Sequence, residues 1–182
     1  MPPDFKCLKV KRFQEFLIPL AGLSAGEHRF EFNINDDFFA QIPYTEIDKG
    51  QLKVDLLLDK RNNMLELTFF IEGWIEVLCD RCNDLFNFEL TGKNSLYLKY
   101  GESYLEESEE VIVIPTDKHH FDTSHLIYEY IMLSLPIRKV HPEDAQGHSL
   151  CNSEVIEKLN NLKVSPEIDP RWEALKKLKD IK

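Results

Sequence analysis

Residues 51–79 read QLKVDLLLDKRNNMLELTFFIEGWIEVLC, and apolar and polar side chains alternate along almost all of it. Leu52, Val54, Leu56 and Leu58 share one face of an extended chain. So do Leu65, Leu67, Phe69 and Ile71, and the phase continues past Gly73 to Ile75, Val77 and Cys79. Period-two alternation is the mark of a half-buried strand. The intervening KRNN is turn-like, so the stretch predicts an antiparallel hairpin. Gly73, inside the longer strand, predicts a bend or bulge.

The same pattern extends on both sides. Upstream, RFEFNI places Phe30, Phe32 and Ile34 on one face. Downstream, Phe86, Phe88 and Leu90 keep phase with Leu96, Leu98 and Tyr100, so a second hairpin turns at CDRCND. The expectation is a curved antiparallel β-sheet or partial barrel of five or more strands. Helical spacing appears mainly later. Asp122 can cap TSHLIYEYIMLSL, with Leu126, Ile127, Tyr130, Ile131 and Leu135 as its apolar stripe and Pro136 as its stop. Asn152 or Ser153 can open EVIEKLNNL. Asp169 and Pro170 start a C-terminal helix at 170–181, with Trp172, Leu175 and Leu178 on one side. A short helix around DDFFAQI is also expected. Strands first and two to three helices mostly in the C-terminal half predict an α+β fold.

The 182 residues include four Cys and carry a net charge of -10. The segment MPPDFKCLKV lacks the apolar region of a signal peptide. No apolar run approaches the roughly 18 residues that cross a bilayer. A cytoplasmic protein with reduced cysteines and no membrane partner is therefore expected. The acid excess argues against a broad electrostatic grip on nucleic acid, and no DNA partner is expected. The charge is uneven. Lys6, Lys9, Lys11 and Arg12 cluster at one end, and Arg171, Lys176, Lys177, Lys179 and Lys182 at the other. Glu102, Glu106, Glu107, Glu109 and Glu110 crowd an acidic loop at 101–110. These runs read as solvated faces, or as an acidic body that recruits a basic protein while basic ends touch phosphate.

Cys79 and Cys82 stand at Cys-x-x-Cys spacing between two strands. A redox pair needs its first sulfur at a helix N-terminus. That is absent here, and Asp80 disfavours a thiolate. A turn carrying Cys-x-x-Cys is instead half of a zinc site, needing two further ligands. KVHPEDAQGHSLCN supplies His141, His148 and Cys151. The preferred set is Cys79, Cys82, His141 and Cys151, with His148 as the substitute for His141. The plainer reading is three buried thiols and an ordinary loop histidine; Cys7 is a bystander on either. Zinc held by four protein ligands is structural, with no open position for substrate. His119 and His120 read as solvated. No Gly-rich phosphate loop, His-Glu-x-x-His or Gly-x-Ser-x-Gly occurs, which points away from an enzyme.

The order of these pieces resembles the YceD family, named for accumulation of large-subunit ribosomal RNA. The matching stretches are CDRC at 79–82, EESEEVIVIP, DTSHLIYEYIMLSLPI, VHPEDAQGHSLC and DPRWEALKKLK. The resemblance implies a single YceD-like domain over 1–182, bacterial, cytoplasmic and non-catalytic, supporting synthesis, processing or stability of large-subunit ribosomal RNA. It maps the family's Cys and His positions onto Cys79, Cys82, His141 and Cys151. The spacing from His141 to Cys151 departs from shorter members, which leaves His141 and His148 both open. With the chain's acidity, the resemblance suggests an adaptor that binds a ribosomal protein or assembly factor, with local ribosomal RNA contact through its basic ends. The alternatives are direct ribosomal RNA binding or a metal-dependent hydrolase.

Overall fold

The computed structural model describes residues 14–43 and 45–162. The expected helix at 170–181, both basic clusters and Cys7 lie outside these. The chain divides into two compact units, Met1–Leu78 with Leu85–Lys139 and Cys79–Asp84 with Val140–Lys182.

The first unit is built on a six-stranded sheet. Its strands are β2 (Gly26–Ile34), β3 (Gly50–Lys60), β4 (Met64–Leu78), β5 (Leu85–Gly101), β6 (Leu105–Ser108) and β7 (Val111–Pro115), in the order β2-β3-β4-β5-β7-β6. Strand β1 (Leu17–Pro19) pairs separately with β8 (His120–Asp122). Helix α1 (Asp36–Ala40) follows β2, and α2 (Ser124–Leu133) follows β8. The architecture is α+β, with the expected period-two faces buried: Leu52, Val54, Leu56 and Leu58 on β3, and Leu65, Leu67, Phe69, Ile71, Ile75 and Val77 on β4.

Three features correct or narrow the expectation. The sheet is mixed rather than wholly antiparallel, because β5 and β7 run parallel, Tyr97 opposite Val111. After β5 the chain skips one position, runs back as β6, and returns as β7 between them. Second, of the sheet and barrel alternatives the sheet holds: it is not closed into a barrel, and β2 and β6 end its strand order. Third, the acidic segment expected as a loop contains β6. All four residues of that strand are exposed, and its two glutamates are the kind of charge that protects a sheet edge.

Gly73 makes no bulge: Leu52 faces it in an unbroken β3–β4 register. Its φ is +148°, and a Cβ there would strike the Gln51 carbonyl oxygen and approach Leu52 Cα to 2.7 Å. The glycine permits close strand approach in a backbone conformation other residues avoid. Gly73→Ala is expected to cost about 1–3 kcal/mol from backbone strain alone, read as a lower urea midpoint at constant m-value.

Helix α1 is started by Asn35, whose side chain accepts from Phe38 N, and it buries Phe38 and Phe39. At α2, Asp122 serves the start from one position before the cap residue Thr123. Its Oδ1 accepts from Ser124 N at 3.0 Å and Ser124 Oγ at 2.6 Å. Ile127, Tyr130 and Ile131 are buried, and the Tyr130 ring stands edge-on to Phe69 at 5.1 Å. Gly92 on β5 leaves the space occupied by the Ser134 hydroxyl. The helix ends at Leu133, ahead of Pro136, so Leu135 lies beyond it.

Candidate metal centre

The second unit contains the Cys-x-x-Cys turn and the segment that follows Val140. In the turn, Cys79 N donates to the Asp84 carbonyl at 2.9 Å and Asn83 N to the Cys79 carbonyl at 2.8 Å. Asn83 closes it at φ +62°, a left-handed conformation that Asn tolerates better than most residues. Arg81 N points at Cys79 Sγ at 3.4 Å. The turn thus aims both sulfurs to one side and places an amide against the first.

The segment after Val140 is a small hairpin. Gly147 N donates to the Asp144 carbonyl at 3.0 Å, and Gly147 sits at φ +82°. Asp144 Oδ1 accepts from Gln146 N and His148 N at 2.9 and 2.7 Å. Leu150 N donates to the Pro142 carbonyl at 3.1 Å, tying the hairpin's two ends together. His141 and Cys151 occupy those ends and turn inward. His148 stands at the exposed tip, its Nδ1 3.3 Å from Asp144 Oδ2. Helix α3 (Ser153–Asn161) follows directly, capped by Asn152, which accepts from Glu154 N at 3.1 Å. The Asn152 amide also donates to Asp84 at 3.2 Å. Arg81 Nη1 donates to Ser149 Oγ at 3.1 Å. Two contacts thus bind the knuckle to the hairpin.

The donor atoms of Cys79, Cys82, His141 and Cys151 all lie within 4.8 Å of one another, and the group could hold a metal ion. Cys79 Sγ is 3.7 Å from Cys151 Sγ, and Cys82 Sγ is 3.5 Å from His141 Nδ1. A tetrahedral zinc with Zn–S of about 2.3 Å and Zn–N of about 2.0–2.1 Å has S–S edges of about 3.8 Å and S–N edges of about 3.6 Å. Both of these edges match that geometry, so the residues could hold such an ion. The three thiols are free. Burial pushes the Cys79 thiol up, but amides of Cys82, Arg81 and His141 outweigh it and bring the group down to about 6. Cys82 is pushed up, chiefly by burial and then by the neighbouring thiols Cys79 and Cys151. One thiol poised to ionise beside one that resists is a chemistry a cation resolves, because a coordinating thiol is deprotonated.

Among the described residues of this unit, the buried apolar side chains are Cys79, Cys82 and Cys151 alone, and α3 buries none. The sulfur cluster takes the place of a hydrocarbon core. The roles of Arg81, Ser149 and Asp144 were not read from sequence. Only the Asp-x-x-Gly spacing of a β-turn pointed to the last.

Residues 67–179 match the family profile described as large ribosomal RNA subunit accumulation protein YceD. The matched stretch contains all four clustered donors. No curated protein and no solved structure matches the chain.

Proposed function

Since the chain belongs to the YceD family of large ribosomal RNA subunit accumulation proteins, we propose that it acts there as a non-catalytic, zinc-stabilised acidic adaptor. The family is named for ribosomal RNA accumulation and not for a reaction. A Cys3His set uses all four zinc positions on protein and leaves none for substrate or water, which supports a structural rather than hydrolytic metal. The observation that carries the adaptor reading is electrostatic. The chain has a net charge of -10, and its two basic clusters, Lys6 to Arg12 and Arg171 to Lys182, lie toward the ends of the sequence, so the long stretch between them carries the acid excess. Such a surface repels phosphate and speeds capture of basic proteins. A basic ribosomal protein or assembly factor of the large subunit, met in the cytoplasm, is the partner this favours. Among the described residues, no helix is long and apolar enough to cross a membrane.

Affinity capture from gradient-fractionated lysate tests this. Large-subunit precursor RNA and ribosomal proteins should be enriched together, and ribosomal proteins should remain after RNase treatment. Loss of both on RNase would instead support direct RNA binding. Absence of both would end the ribosomal reading.

The ligand assignment has its own test. Protein purified without chelator should carry one zinc per chain. His141→Ala should lose most of it, whereas His148→Ala should retain it. Equal retention by both variants would remove His141 from the site.

A further inference from the structure

The first unit has a groove of about 830 Å³ between α2 and the β6–β7 edge. Its floor is apolar, with Ile112, Phe121, Leu126 and Tyr130 among its lining. Leu133 at the end of α2 is 73% exposed and Tyr104 before β6 is 52% exposed. Carboxylates rim it: Glu106 and Glu109 on one side, Asp122 and Glu129 on the other. The single lysine among the described lining residues, Lys118, holds its ammonium 5.6 Å from the Tyr104 ring and 5.5 Å from the Phe121 ring. The groove's aromatic faces thus already accept a cation from within the chain.

An apolar floor with an acidic rim suits a segment that is apolar on one face and cationic on the other. The volume would also admit a small molecule, but four carboxylates around one lysine favour a polycation. From this geometry we infer that the groove between α2 and β6–β7 docks a basic amphipathic segment of a protein partner. Leu or aromatic anchors of that segment enter over Ile112 and Leu126, and its Lys or Arg side chains pair with Glu106, Glu109 and Glu129. This deepens the adaptor reading and rests on it.

The test uses the full chain and a fluorescent Lys/Leu peptide patterned at helical spacing. The comparison protein is a variant with Glu106→Gln, Glu109→Gln, Glu129→Gln and Leu133→Ser, all at exposed positions. Affinity should fall at least tenfold in the variant. It should change by less than twofold in a control with Glu27→Gln, Glu72→Gln and Glu89→Gln, exposed residues that do not line the groove. A Glu/Leu peptide should not bind. Hydrogen-exchange protection on binding should concentrate in Leu105–Ser108 and Ser124–Leu133. Equal loss in both variants would mean diffuse electrostatics and overturn the inference. So would groove-dependent binding of a homopolymer RNA, or a dimer of the native chain that the groove variant abolishes. Capture from fractionated lysate separates the two proposals. If native protein enriches ribosomal proteins and the groove variant does so equally, the groove fails and the adaptor stands. If native protein enriches none, the adaptor itself fails.

Discussion

Protein stripped of metal by a strong chelator is expected to lose the order of Cys79–Asp84 and of the following residues 140–162, while the six-stranded sheet stays folded. The reason is that the described residues of that unit have no other core. Among the described residues of that unit only the three cysteines are buried apolar side chains, and α3, nine residues long, is too short to be stable alone in water. Structural zinc contributes about 10–16 kcal/mol to small zinc-finger peptides at neutral pH. The remaining loop hydrogen bonds, at about 0.5–1.5 kcal/mol each, have to offset backbone ordering of about 1–2 kcal/mol per residue, and without the metal they do not. Hydrogen exchange on chelated protein should show the amides of Cys79, Asn83, Asp144 and Gly147 unprotected, with β3, β4 and β5 unchanged. Cys82→Ser should do the same without chelator, and added zinc should not restore it. Protection that survives in both samples would show that the donors are ordinary thiols and that the hairpin holds itself.

The second large effect is expected at Phe69. This side chain is fully buried on β4 and meets the Tyr130 ring of α2 edge-on. Phe69→Ala should cost about 3–5 kcal/mol, the range for emptying a packed aromatic site. That is a large share of the roughly 5–15 kcal/mol that holds a typical domain together. The lost contact is also one of those that pack α2 on the sheet, so docking in the groove should weaken more than stability alone explains. Denaturant unfolding reads the first effect. Peptide affinity at a temperature where the variant is fully folded reads the second. Unchanged affinity there would mean that α2 is held independently of Phe69. Burial pushes Tyr130 up to about 12, so its hydroxyl stays protonated through any ordinary pH used in these assays.

The strands of the two long hairpins were legible because one face of each is buried, and a period-two pattern records that directly. The three-residue strands β1 and β8 have no room for a period. Their pairing depends on residues a hundred positions apart, which no local pattern encodes. The parallel β5–β7 contact was hidden for a related reason: alternation tells which face is buried but not which neighbour is beside it. Asp122 was read as the cap of α2, but Thr123 holds that position and Asp122 serves the helix start from one residue before it. In the sulfur cluster the Cys-x-x-Cys turn was visible. The choice between His141 and His148 rested on the Asp144–Gly147 turn, which sends one histidine inward and the other to the tip. The groove was not legible, because its floor and rim come from separate elements that form no motif.

The pairing of β1 with β8 also bears on how the chain is made. Phe16, Ile18 and Leu20 are buried in the finished structure. The Phe16 carbonyl accepts from Thr123 N and, at 2.9 Å, from Thr123 Oγ1. During synthesis these residues emerge about a hundred positions ahead of their β8 partners. At about 5–20 residues per second, the wait is roughly 5–20 s. For that interval β1 lacks the strand it pairs with, and Phe16 has only nearer neighbours in sequence, Phe32 and Phe38, whose rings it meets at 5.4 and 5.2 Å in the finished structure.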